Sequence, residues 1–186
     1  MEKTLNAIQV FSKIGKILCT IIHVFCIVGI VGCCIGLATY GSFDSALKIG
    51  DVSIYGIVKA GVDVTRGTVY ASMTTALIYC IGQVILTRIA VRYFKNELKA
   101  GTPFTMDGAK ELLHLGICTI CIPIGTAIAA SISYAIISNV FEHVADMTID
   151  NLTTPGLGIG MILVSLICKY GAQLSATTEN NEIQKN

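Results

Sequence analysis

RIAVRYFKNELKAGTPFTMDGAKELLHLG, residues 88–116, decides how this chain folds. It is the longest charged segment in a chain that is otherwise mostly apolar, and long hydrophobic runs flank it on both sides. Arg88, Arg92, Lys95 and Lys99 recur at steps of three and four, which puts them on one face of a helix. Gly101 suits the position just past a helix end, and Pro103 cannot continue the helix. Thr105 is placed to cap the next helix, with Phe104 and Ala109 at the positions of a hydrophobic staple. The segment reads as a helix leaving a membrane, a tight turn, and a helix going back in.

Composition agrees with that reading. The chain has 186 residues, of which 53% are hydrophobic and only 13% charged, and its mean hydropathy is +0.72. Soluble domains carry about 25% charged residues, so this chain lacks the surface for one. The net charge of +1, with no basic patch beyond the central segment, gives no case for nucleic-acid binding. Cys19, Cys26, Cys33, Cys34, Cys80, Cys118, Cys121 and Cys168 all fall inside apolar runs. A disulfide framework would staple exposed segments instead, so the expectation is reduced, buried thiols.

Outward from the turn, four runs are long enough to cross a bilayer, which takes about 20 apolar residues in a helix. They cover 17–40, 69–90, 112–140 and 155–174. Residues 1–16 read as an interfacial helical lead-in. A signal peptide would have an apolar core of about 7–15 residues, shorter than the first run. Ile30-Val31-Gly32-Cys33 resembles a bacterial lipobox, but the residues after it stay apolar, as in an uncleaved span. Residues 41–68 form a mixed loop in which 47–54 alternates around Gly50-Asp51, as a small β-hairpin would. A short strand over 147–152 could pair with it. Pro123 inside the third run removes a helical hydrogen bond and is expected to kink that helix. Residues 91–111 read as a loop and 175–186 as a disordered polar tail.

The basic residues set an orientation. Of the 13 Lys and Arg, only Lys48, Lys59 and Arg66 lie in the two loops opposite the central turn. The positive-inside rule therefore places both termini and the 91–111 loop in the cytoplasm. Aromatic residues fit the same assignment: Tyr40, Phe43, Tyr70 and Phe141 at the outer interface, and Tyr93, Phe94, Phe104 and Tyr170 at the inner one.

Two pieces of the chain resemble a known family. Gly101-Thr102-Pro103-Phe104-Thr105, followed by Ala109-Lys110 and Leu115-Gly116, is similar to the central signature of the YoaS-like proteins. Lys169-Tyr170-Gly171-Ala172-Gln173-Leu174 is similar to that family's motif at the end of its last span, although the acidic continuation expected after it is replaced by Ser175 and then Asn180-Asn181-Glu182-Ile183. The resemblance implies a small bacterial four-span membrane protein, often encoded beside a helix-turn-helix regulator. It implies no activity, substrate or catalytic residue. Gly101, Pro103, Phe104, Thr105, Gly171 and Leu174 carry it and are candidates for a structural or docking role.

Other constellations are weaker. Cys19-x3-His23-x2-Cys26 and His114-x3-Cys118-x2-Cys121 each share one helix face in the first and third spans, and would suit Cu(I) or Zn(II) if those faces met. The competing reading is that cysteine packs as a small hydrophobe and a membrane histidine bonds a neighbouring hydroxyl. Cys118-x-x-Cys121 lacks the outer-loop thiols that a disulfide relay needs. Gly32-x3-Gly36, Gly125-x3-Ala129 and Gly156-x3-Gly160 read as close-approach motifs between helices. Coupled transport usually needs charged residues within the spans, and the span interiors hold none.

The expectation is an all-α integral membrane protein of four transmembrane helices in a bacterial cell membrane, with both termini cytoplasmic and a small β-hairpin in the outer loops. Its activity reads as non-enzymatic: accessory, sensory, immunity or regulatory, through protein or lipid contacts. The alternative is a small transporter or soft-metal-binding protein using the Cys/His faces. No cofactor is expected. The partners are the lipid bilayer and a protein at residues 88–116, with self-association left open.

Overall fold

The computed structural model describes residues 2–40, 65–101, 105–144 and 155–183, and within them all regular structure is helical. The order is α1 (Glu2–Tyr40), α2 (Arg66–Ala100), α3 (Met106–Val140) and α4 (Pro155–Ile183). All four are long and apolar enough to cross a membrane. This is the four-span, all-helical architecture expected from the apolar runs. The proposed hairpin at 47–54 and strand at 147–152 lie outside the described residues.

The helices outrun the apolar segments that predicted them. At about 1.5 Å per residue, the 35 residues of α2 or α3 extend about 52 Å, against about 30 Å of hydrocarbon. The inner connection 91–111 is accordingly mostly helix, as the helix–turn–helix reading of 88–116 has it: α2 ends at Ala100 and α3 starts at Met106. Past the fourth apolar run, which ends at 174, α4 runs on to Ile183 through most of the segment read as a polar tail. No Gly or Pro follows Gly171, and extending an existing helix costs far less than starting one. Pro123 sits inside α3, which remains one helix.

Two compact units can be distinguished. One takes α1 as far as His23, Ile85–Ile122 and α4. Its core is Ala90 and Tyr93 of α2 with Leu112 and Leu115 of α3, packed by Cys19, Leu86, Ile89, Phe94 and Met161. The Tyr93 and Phe94 rings meet edge to face at 5.4 Å. Here α3 and α4 cross at two glycines. A Cβ on Gly116 would lie 3.1 Å from the Gly158 carbonyl oxygen, and one on Gly158 would lie 3.0 Å from that of Gly116 and against Ile120. Beside the crossing, Ser165 Oγ donates to the Ala109 carbonyl at 2.8 Å, closing a buried polar group without water.

The other unit takes α1 from Val24, α2 as far as Val84 and α3 from Pro123. Its interior is small and hydroxyl-rich, with Thr68, Val69, Ala71, Ser72, Thr75 and Ala130 buried. Thr65 caps α2: its Oγ1 accepts from the Thr68 amide at 3.2 Å and donates to the His143 carbonyl at 2.6 Å. That second bond ties the end of α3 to the start of α2, and Tyr70 stacks on Phe141 at 5.5 Å beside it. On α1, Gly29 and Gly36 receive Cys80 and Met73 of α2.

The expected close-approach pairs need correction. Gly32, Gly125, Gly156 and Gly160 meet nothing within 4 Å, whereas Gly15, Gly29, Gly36, Gly67, Gly116 and Gly158 make the tight contacts. Spacing of four finds glycines on one face but is blind to which face meets a neighbour.

Candidate functional site

The sequence residues with the most defined surroundings gather at the α2–α3 hairpin. Gly101 ends α2 with φ +74°, a conformation open to a residue without Cβ, and its amide donates to the Glu97 carbonyl at 3.0 Å. Thr105 starts α3: its Oγ1 accepts from the Gly108 amide at 3.0 Å, and its carbonyl accepts from the Ala109 amide at 3.0 Å. This is the N-cap geometry expected from the sequence. From α1, Gln9 Nε2 donates to the Gly101 carbonyl at 3.3 Å, so the first helix buttresses the turn. Pro103 and Phe104 lie outside the described residues.

Between the two arms runs a polar clamp that sequence reasoning missed. Asn96 Nδ2 of α2 donates to Glu111 Oε1 of α3 at 2.7 Å. Glu111 Oε2 is buried and has no hydrogen-bond partner. Glu97 is half-buried and stands four residues after Tyr93, on the same side of α2. The only hint in the sequence was that Asn96, Glu97 and Glu111 interrupt otherwise basic or apolar surroundings, and pairing them requires the register of the hairpin.

The opposite face of α2 is cationic. Arg88, Arg92, Lys95 and Lys99 are all exposed, while Ala90 and Tyr93 between them are buried. The helix therefore has one wall in the core and one charged wall outside, as the three-and-four spacing predicted. On α3, Lys110 Nζ lies 4.0 Å from Asp107 Oδ1, with the two side chains 72% and 96% exposed. Such a pair contributes little.

The remaining candidates are dispersed. Gly171 is half-buried and Leu174 is 58% exposed, both on α4. Cys19 packs against the Tyr93 core, and His23 Nδ1 lies 2.9 Å from Thr87 Oγ1 of α2. Cys26 belongs to the unit that holds Cys80, and Cys19, Cys26 and Cys33 recur every seven residues on the inward stripe of α1. His114 is exposed, with Nε2 3.6 Å from Cys118 Sγ on the same helix, and Cys121 is exposed. Among the described residues no three His, Cys, Asp or Glu side chains gather in a way that could hold a metal ion.

Comparison with known protein families, characterised proteins and solved structures finds no match to this chain. The chain's own geometry is therefore the basis for a functional reading.

Proposed function

We propose that this chain is a non-enzymatic accessory protein of a bacterial cell membrane (a sensor, immunity factor or regulator) that acts through protein or lipid contacts of the α2–α3 hairpin. The observation that carries this reading is how the hairpin is built. Both sides of the turn are capped, a polar clamp joins the arms, and a four-residue cationic wall faces away from the core. Helix ends capped and joined in this way can present the same surface to a partner each time, which lowers the ordering cost of binding. The concentration of Lys and Arg on one side of the four spans supports a cytoplasmic hairpin and cytoplasmic termini. The likeness of 101–105 to the YoaS-like signature supports the turn as the contact point. A soft-metal or transport role would draw on the Cys/His faces, where a single His114–Cys118 pair is the nearest approach to a ligand set.

Two experiments test the reading. A photo-crosslinking residue placed at Asp107 in cells should trap one protein of constant size. The adduct should vanish in Pro103→Ala and Phe104→Ala chains that keep their helix content and membrane insertion. No adduct from Asp107, Lys99 or Thr105, or an adduct indifferent to both variants, would remove the protein-docking reading. Separately, Lys99→Cys should react with a membrane-impermeant maleimide from the cytoplasmic side alone; reaction from outside would invert the topology.

A further inference from the structure

Among the described residues, charge balance at the hairpin leaves four cations without a carboxylate partner. Arg88, Arg92, Lys95 and Lys99 are exposed, and among the described residues no carboxylate pairs with any of them. The only acid on α2 is Glu97, which is half-buried and lies on the Tyr93 side of the helix. The acid of the neighbouring first turn of α3, Asp107, sits beside Lys110 instead.

The position of these cations narrows what can neutralise them. They belong to a helix long and apolar enough to span a membrane, and they face away from the core. Charged residues in spans ordinarily face the bundle interior, because hydrocarbon does not solvate them. An outward charge on such a helix must therefore reach the headgroup layer. The steps of four, three and four residues spread the ladder over about 16 Å along the axis. Long, flexible side chains are able to close that distance, Arg88 from the hydrocarbon end of the ladder and Lys99 from the water end. The order also fits phosphate chemistry. The two guanidiniums, which grip phosphate oxygens in pairs, sit nearest the hydrocarbon, and the two ammoniums, which act as point charges, sit beyond them.

We infer that the Arg88–Arg92–Lys95–Lys99 face binds the phosphodiester headgroups of acidic phospholipids in the leaflet the hairpin enters. The inference deepens the lipid side of the contact reading and rests on it. It does not depend on whether the turn docks a protein, and the crosslinking result is unaffected by its failure.

The test uses the full chain reconstituted in bilayers with spin-labelled phosphatidylglycerol or phosphatidylcholine, reading the fraction of label held at the protein surface. The wild-type chain should prefer the acidic lipid by about fivefold for each charge that contacts a headgroup. The preference should fall to none in R88Q/R92Q/K95Q/K99Q and survive in the charge-retaining R88K/R92K/K95R/K99R. It should also survive in K13Q/K169Q, which removes two cations elsewhere. If the quadruple variant fails to insert, wild type alone decides, because a phosphate contact must weaken as salt shortens the screening length to about 3 Å at 1 M. Equal affinity for the two lipids in wild type, a preference that persists in the quadruple variant or at high salt, or its loss in K13Q/K169Q would each overturn the inference.

Discussion

At Gly101 the backbone turns left-handed to end α2, and four residues later Thr105 caps α3. Placing a Cβ at Gly101 strains the backbone by about 1–2 kcal/mol, and losing the Thr105 cap costs about 1 kcal/mol. Gly101→Ala and Thr105→Ala should each lower the helix melting temperature in detergent, with Thr105→Ser close to wild type. His143 gives the opposite expectation. It holds φ 65° with a side chain, while its contact to Thr65 uses only its carbonyl. His143→Gly should therefore stabilise by about 1 kcal/mol. Glu111 separates two effects. Glu111→Gln keeps an acceptor for Asn96 and replaces the unpartnered oxygen with a donor, so it should melt at or above wild type. Glu111→Ala leaves the Asn96 amide unmet and should melt lower, since a buried orphan costs about 1–3 kcal/mol. Both hairpin caps were legible in the sequence because a cap is local, spanning three or four residues. The Asn96–Glu111 bond and the Thr65–His143 tie were not, since each joins residues whose proximity depends on how two helices pair.

The helices themselves were legible as apolar runs, but the end of α4 and the contact faces were not. A hydropathy pattern marks where lipid begins, whereas a helix stops where its hydrogen bonds are capped or broken. That difference explains why α2 and α3 reach the turn at 101–105 and why α4 passes residue 174. Contact faces depend on the neighbour. The glycine pair 156 and 160 looked like the packing motif of α4, yet Gly158, two residues from each, carries the crossing with Gly116. Substitution should expose the contrast. Gly158→Leu must push against Ile120 and the Gly116 backbone, and should separate α3 from α4, seen as a lower melting temperature and loss of protection of α4 from protease. Gly160→Leu enters open space and should leave both measurements unchanged. If the two variants behave alike, the crossing is misplaced.

For the molecule as a whole, the outer surface identifies the solvent. Phe11, Phe25, Val140 and Ile167 stand 74%, 71%, 71% and 64% exposed, on helices that all could span a membrane. Water would not tolerate apolar surface on that scale without association, and lipid does. Interior hydroxyls at Thr68, Ser72 and Thr75 fit the same setting, since helices in lipid pack through small residues and hydrogen bonds instead of through hydrophobic burial.

The placement of the thiols has a practical consequence. All eight cysteines lie within the four candidate spans and in their apolar runs, so the expectation is that even Cys34 and Cys121, which are exposed, meet hydrocarbon and not water. In an intact bilayer a water-soluble maleimide should leave the native chain unlabelled, and in denaturant it should label it. The protein thus comes with a silent background: a single cysteine added at any wetted position reports from that position alone, and the bundle can be mapped residue by residue without first removing the thiols that pack its interior.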